Sequence, residues 1–262
     1  QEITSKASNL ALMKDINTKT DAEDTFQSIF TDTKTSRERI SLNYEYDNKK
    51  SNNFIDALKL NIYNQYSRID DDSKIDWTYF MRGFGGQPNT NNVYKDVNDY
   101  YMKNDIWGGN IQAQTLMNIS DTNHLITFGV DYSATDFSRV RNKNRTKNGT
   151  AETYDPQKDT PDSDIKRTGI YLQDEFSSGK FDFIAGLRYD NYDLNAKADS
   201  IFLDSGTNDS GNITDEYAAD LSESNWSPKL ATNYNFNETT SLYGSYSKGF
   251  RAPAYYEVNS SF

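Results

Sequence analysis

The chain has 262 residues, with 28 Lys and Arg against 39 Asp and Glu, a net charge of -11 and a pI near 4.6. That balance excludes a nucleic-acid binder, whose affinity rests on clustered cations, and the lack of Cys excludes disulfides, thiolate metal sites and Cys nucleophiles. Hydrophobic residues reach only 35%, which alone suits a soluble or partly disordered chain, yet 19 Tyr and 14 Phe stand in the sequence and disordered chains are poor in aromatics.

Residues 1–36 are polar and weakly patterned and are read as a loop. Arg37–Tyr46 is the first strand-like segment. In the second, Leu58, Leu60 and Ile62 alternate with Lys59, Asn61 and Tyr63. Asp105–Ile119 is followed by Ile126, Phe128, Val130, Tyr132 and Ala134, set on the opposite face from Leu125, Thr127, Gly129, Asp131 and Ser133. After Arg167–Phe176 comes the clearest case, where Phe181, Phe183, Ala185, Leu187 and Tyr189 oppose Asp182, Ile184, Gly186, Arg188 and Asp190. Trp226–Phe236 alternates too, and Pro228, which cannot donate to a ladder, is expected near a strand start or rim. Ser241–Ser247 is the last, with Leu242 and Tyr246 competing with Tyr243 for the apolar face.

An apolar period of two means strands, and several of these segments reach the ~9–11 residues that a tilted strand needs to cross a bilayer. A polar average with abundant Tyr fits a membrane barrel, because only alternate residues meet lipid. No apolar run of the ~18 residues of a membrane helix exists, and Gln1-Glu2-Ile3-Thr4 opens no signal peptide. Short connections at Asp47–Asn53, Ser120–Asn123, Ser177–Lys180 and Asn237–Thr240 alternate with long ones at Asp70–Asn104, Ser138–Lys166 and Asn195–Ser224. Short turns at one end and long loops at the other is the outer-membrane barrel layout. A soluble β-sandwich, a binding module or adhesin, would alternate as well, and eight strands would also make an intact small barrel.

Four motifs sharpen this. Gly169-Ile170-Tyr171-Leu172-Gln173-Asp174-Glu175-Phe176 precedes Ile184-Ala185-Gly186-Leu187-Arg188-Tyr189-Asp190. Then come Ser227-Pro228-Lys229-Leu230 and Ser245-Tyr246-Ser247-Lys248-Gly249-Phe250-Arg251-Ala252-Pro253. In order and spacing, from Gly169 to Pro253, the series resembles the barrel of TonB-dependent outer-membrane receptors. Val130-Asp131-Tyr132 followed by Arg139 and Arg141 is similar to haem-receptor members.

The resemblance implies an all-β fold, an antiparallel transmembrane β-barrel of about 22 strands, of which residues 1–262 are a segment, with long extracellular loops and short periplasmic turns. It implies a plug domain outside this chain, so that the chain is a middle piece of a longer protein. Uptake of haem or haem-iron across the bacterial outer membrane is the implied function, with a ferric siderophore or other metal chelate as the alternative. The implied partners are the TonB complex acting through the missing plug, a haem, haem-protein or ferric siderophore, and outer-membrane lipid and lipopolysaccharide. No enzyme activity, resident cofactor or nucleic acid is implied.

Candidate residues follow. Haem-transporting members carry a histidine ligand after the motif that ends at Pro253, and this chain has none there; Tyr255 and Tyr256 are the ligand candidates in its place, or members of an aromatic girdle. Arg251 could meet haem propionates or a plug carboxylate, or serve a structural pair. Glu175, Asp182, Arg188 and Asp190 would be costly in hydrocarbon and are expected to face the lumen. His124, the one histidine, is a haem or metal ligand by chemistry but by position a solvated turn residue at the periplasmic rim. The basic run Arg139-Val140-Arg141-Asn142-Lys143-Asn144-Arg145-Thr146-Lys147 is read as a loop that is plainly mobile or meets lipopolysaccharide phosphates or an acidic partner. Asp70-Asp71-Asp72 and Asp155, Asp159, Asp162 and Asp164 offer hard oxygens, but no spacing fits a calcium loop, and they are read as solvated charge.

Overall fold

A computed structural model describes residues 2–7, 22–48, 54–83, 89–120, 122–205 and 218–259, with side chains from 26 onward. Ten strands form one antiparallel sheet: β1 (Glu2–Ala7), β2 (Ala22–Asp47), β3 (Ala57–Met81), β4 (Thr90–Ile119), β5 (Thr122–Lys147), β6 (Thr150–Thr153), β7 (Asp162–Ser178), β8 (Phe181–Lys197), β9 (Leu221–Asn237) and β10 (Thr240–Ser247). Each pairs with its neighbour in sequence, except that β7 pairs with β5 below the short β6, which extends the top of β5. β1 and β10 stand at the two ends of the sheet. A single sheet, with no second one packed on it among the described residues, sets aside the β-sandwich, and nine strands in an open path, with β6 beside β5, set aside the eight-stranded small barrel.

All eight segments expected from alternation are strands, and the short turns at Ser177–Lys180 and Asn237–Thr240 lie where expected; residues 49–53 of a third and residue 121 of the fourth fall outside the described ones. The long connections are corrected. β2 to β5 run for 26, 25, 30 and 26 residues. Most of what reads as loop in Asp70–Asn104, in Ser138–Lys166 and before Arg37 is therefore strand. At ~3.3 Å per residue these strands reach roughly 80–100 Å, far beyond one bilayer. A hairpin signal sits inside one such stretch: Asn148 (φ 50) and Gly149 (φ 84) turn β5 into β6, the Asn-Gly pair that a two-residue turn with two left-handed residues favours.

Register fixes the faces. Ile111 lies opposite Val130, Val130 opposite Ile170, Ile170 opposite Tyr189, and Tyr189 opposite Trp226. That outer face leaves Ile40, Leu42, Ile62, Leu172, Leu187 and Leu230 exposed, which water would not tolerate over so large a patch. Aromatic pairs bound it on both sides. Trp107–Tyr132 (5.2 Å) and Tyr189–Trp226 (4.9 Å) lie above, and Phe176–Phe183 (5.0 Å) and Phe181–Tyr234 (4.7 Å) below. An apolar band between aromatic girdles is the lipid-facing belt of a barrel wall. Leu242 and Tyr246, opposite Tyr234 and Leu230, join this face, and Tyr243 points the other way.

Pro228 lies inside β9, not at its start. The strand tolerates it because β10 ends at Ser247, opposite Lys229. The Pro228 carbonyl accepts from Lys248 N (3.0 Å), and the missing donor faces the place where β10 leaves the sheet.

The inner face holds glycines under large neighbours. A Cβ on Gly129 would lie 2.5 Å from the Tyr171 hydroxyl and 2.7 Å from the Ile111 carbonyl. The ring can lie flat across the strand only because that position is bare. After β10 the chain folds over this face. Phe250, Ala252 and Tyr255 pack on the buried trio Ile165, Tyr192 and Leu194, and α2 (Tyr255–Val258) follows. Asn259 ties the end down through two hydrogen bonds with the backbone of Ala219. Above β7, Lys158 pairs with Asp162 (2.9 Å) and with Asp199, the N-cap of α1 (Ser200–Asp204). Burial alone would lower the lysine's pKa, but the two carboxylates outweigh it and hold the ammonium above its usual range.

Candidate functional site

Above the apolar band, β5 presents its cations inward. Arg139, Arg141, Lys143, Arg145 and Lys147 alternate with Val140, Asn142, Asn144 and Thr146, and lie opposite Met102, Tyr100, Asn98, Asp96 and Tyr94 of β4. Each side chain repeats every second residue, so the five form a ladder up one wall. Aromatic rings space it. Arg139 lies 4.6 Å from the Tyr100 ring centre, Arg145 5.2 Å from Trp77 and 5.1 Å from Tyr94, and Lys143 5.1 Å from Tyr154. Trp77 and Tyr94 stack at 4.2 Å. This corrects the basic run: it is strand, not loop, and its cations lie on the inner face of the sheet.

One carboxylate organises the ladder. Asp96, 6% exposed, receives Nε and Nη2 of Arg145 at 2.7 Å each and the Trp77 indole N–H at 3.3 Å. The Lys143 ammonium lies 3.8 Å away. Burial works to raise the Asp96 pKa, but the Arg145 guanidinium and Lys143 outweigh it, and the carboxyl stays below its usual range. Burial, then the charge of Arg145, pushes the Lys143 ammonium down. A recess of about 520 Å³ opens here, lined by Asp71, Asn98, Tyr100, Arg141, Lys143 and Tyr154 among others. Arg145 is satisfied within the protein. Lys143 has the Tyr154 ring and a long contact to a carboxylate already occupied, and Arg141 is held by the neutral Gln157 amide oxygen (2.5 Å). Cations held beside aromatic faces suit a flat or aromatic anion.

Register sets Glu175, Asp182, Arg188 and Asp190 on the face opposite the apolar one. Arg188 reaches Asp131 with Nη1 and Nη2 (2.9 and 3.0 Å) and Asp190 with Nε (2.7 Å). Glu175 accepts from Gln173 (2.8 Å), and Asp182 from Ser177 (2.7 Å) and Asn235 (2.9 Å). Glu175, Arg188 and Asp190 border one recess of about 940 Å³ on the inner face of the band.

Tyr255 and Tyr256 meet edge to face at 5.3 Å but differ in access. Tyr255 lies against Phe137 (3.7 Å), its hydroxyl on Met102 Sδ (3.5 Å), whereas Tyr256 is 52% exposed. Arg251 pairs with Glu257 (2.6 and 2.9 Å), a structural partner in its own segment. His124 is not a solvated turn residue. It is on β5, on the outer face, with Nδ1 2.8 Å from Asp174 and its ring stacked on Phe176 at 4.6 Å. The pairing answers an outward carboxylate that stands within the apolar band. Among the described residues no group of three or more carboxylates or imidazoles is set to hold a metal ion.

Neighbour-paired strands with a bilayer-facing outer surface and a charged inner one define a wall segment of a transmembrane β-barrel. A family model described as TonB dependent receptor-like, beta-barrel, matches residues 4–262, and the chain belongs to that family. No curated protein matches. Among solved structures it is similar to the FrpB iron transporter from Neisseria meningitidis. The F5-1 variant apoprotein is 10% identical, with 89% of this chain and 38% of that one covered and a TM-score of 0.42. The F3-3 variant is 12% identical, with 98% and 47% covered and a TM-score of 0.40. This chain thus spans less than half of either.

Proposed function

We propose that this chain is part of the wall of an outer-membrane receptor that takes up an anionic iron chelate, drawn through the barrel by the TonB complex acting on a plug. Haem or haem-iron is the first ligand to test, its propionates matching Arg141 and Lys143, and a ferric siderophore of catecholate type is the second. The observation that carries the reading is the inward ladder of β5, cations set among rings in an otherwise acidic chain. Tyr256 is the accessible candidate for iron ligation, and Tyr255 supports it from beneath.

The experiment titrates the complete receptor with haem, with a ferric tricatecholate and with a neutral ferric hydroxamate. Arg141→Gln and Lys143→Gln are each expected to weaken the anionic ligand roughly tenfold, the scale of one charged hydrogen bond, and to leave the neutral one unchanged. A Soret shift on binding selects haem, and its absence alongside tight tricatecholate binding selects the siderophore. Equal binding of charged and neutral chelates by wild type and both variants would overturn the proposal.

A further inference from the structure

β6 and β7 lie along the same edge of β5 but do not share a register. Asn144 pairs with Thr153 in β6, and Phe137 with Ser163 in β7. From Phe137 to Asn144 is seven steps and from Thr153 to Ser163 is ten, so three residues are surplus to the ladder, as in a bulge. One bridge crosses the gap. Arg141 N donates to the Gln157 carbonyl and Gln157 N to the Arg141 carbonyl, both at 2.8 Å. Continued unchanged, the β6 register would set Pro156 opposite Arg141, and proline has no N–H to give. A slip of one residue brings Gln157 there instead. Residues directly opposite share a face, so the Gln157 side chain stands beside that of Arg141 at the recess of the cation ladder.

Gln157 Oε1 accepts from Arg141 Nη2 (2.5 Å). It engages one corner of a guanidinium with five N–H donors, and it does so with a neutral oxygen. The segment that follows is seated by other means. Lys158, 4% exposed, donates its backbone N–H to Ser205 Oγ (2.7 Å) and keeps its ammonium on Asp162. Asp159 holds Arg139 (3.0 Å), and Thr160 is 2% exposed. The amide is therefore free to leave Arg141 without unseating the chain. Guanidinium bonds to an anionic oxygen are about twice as strong as those between neutral groups. An anion that reaches Arg141 gains by displacing the amide, whereas an uncharged oxygen exchanges like for like.

We propose that Gln157 sets the anion affinity of Arg141, as an internal neutral acceptor that an anionic ligand oxygen must displace. Gln157 is a specificity-determining residue that acts through Arg141 and is not itself a ligand contact. The inference rests on the reading of Arg141 as an anion contact and adds the group that competes for it. With no side chain at 157 the anion meets a guanidinium that only water opposes. With a carboxylate there, the guanidinium is already held by a charge, and the ligand no longer wins the exchange.

The test titrates the complete receptor with the ferric tricatecholate and with the neutral ferric hydroxamate. Gln157→Ala is expected to tighten the tricatecholate about threefold, the scale of one neutral hydrogen bond that no longer has to break. Gln157→Glu should weaken it about fivefold, the scale of one exposed ion pair. The hydroxamate should bind both variants as it binds wild type. In an Arg141→Gln background the gain from Gln157→Ala should vanish, because the amide then has no guanidinium to hold. A residue that merely braced the fold would weaken binding in both variants. Trypsin should leave the buried Lys158 uncut throughout, and cutting there in Gln157→Ala would make the amide a staple of the segment and overturn the proposal. Equal binding of the two chelates by wild type would remove the ligand reading and this inference with it. A wild type that prefers the tricatecholate, with a Gln157→Ala that gains nothing or gains equally without Arg141, would overturn this inference alone.

Discussion

Strand β5 passes through two environments, and its two halves invert each other. From His124 to Tyr132 the outward side chains are mostly apolar and the inward ones include Thr127 and Asp131. From Asp136 to Lys147 the outward row is mainly polar, and the inward row gathers Phe137, five cations and the rings of Tyr100, Trp77 and Tyr94. The backbone period is two throughout. What differs is the medium outside: lipid around the lower half requires apolar outer side chains, and water around the upper half releases that constraint. The lower half is held by its fit to lipid and the upper half by charge–aromatic contacts across its inner face.

The largest expected effect sharpens that contrast directly. Leu172→Arg, near the middle of the band, should cost ~2–4 kcal/mol in unfolding from lipid vesicles, the range for a cation at the bilayer midplane. Val93→Arg puts the same charge on the outer face of β4 above the band, where Val93 is already 41% exposed. It should change stability by less than ~0.5 kcal/mol. Equal costs at both positions would remove the lipid boundary on which the distinction stands.

The same boundary explains what the sequence reveals. Leu58–Tyr63, Leu125–Ala134 and Phe181–Asp190 are legible because one face is apolar and the other is not, so a period of two appears in hydropathy. The upper parts of β4 and β5 are polar outside and mixed inside, and upper β3 turns its apolar residues Ile75, Trp77 and Tyr79 inward against Lys74, Asp76 and Thr78, so an apolar outer face no longer marks the strand although it continues. Two other signals do cross that stretch. Asn148-Gly149 marks the hairpin, and Arg139, Arg141, Lys143, Arg145 and Lys147 carry the period in charge rather than in hydropathy. A search for alternating cations would have found the candidate site. The inward positions of Glu175, Asp182, Arg188 and Asp190 are legible for the opposite reason: each neighbours a residue that must meet lipid. The Asp174–His124 pairing is not legible, because it joins residues fifty apart that only the β5–β7 register brings together.

A smaller effect tests how the upper half is held. Asp96→Asn leaves Arg145 and Lys143 without their shared carboxylate, at a cost of ~1–3 kcal/mol for charged groups that lose a buried partner. Opening should be local. Trypsin should cut at Arg141 or Arg145 faster in the variant, while the heat-modifiable mobility of the barrel stays as in wild type. Asp182→Asn, on the exposed lower inner face, should leave both readouts unchanged. Loss of the whole barrel on Asp96→Asn would mean that the two halves do not hold independently.

The smallest effect is a displacement along the pH axis. Burial and the charge of Arg145 lower the Lys143 ammonium from its usual range, about 10.4. An anionic ligand favours the charged form, so the bound lysine titrates higher than the free one. Affinity should therefore be full below the free-state pKa and fall as pH rises through it, starting below the ordinary lysine range. Lys143→Arg keeps its charge across this window, so its affinity should stay level where wild type declines. In the lower half, Lys229 faces inward on β9, away from the recess, and Lys229→Arg should leave the wild-type decline in place. A decline that persists unchanged in Lys143→Arg would place the titrating cation elsewhere and separate Lys143 from the ligand.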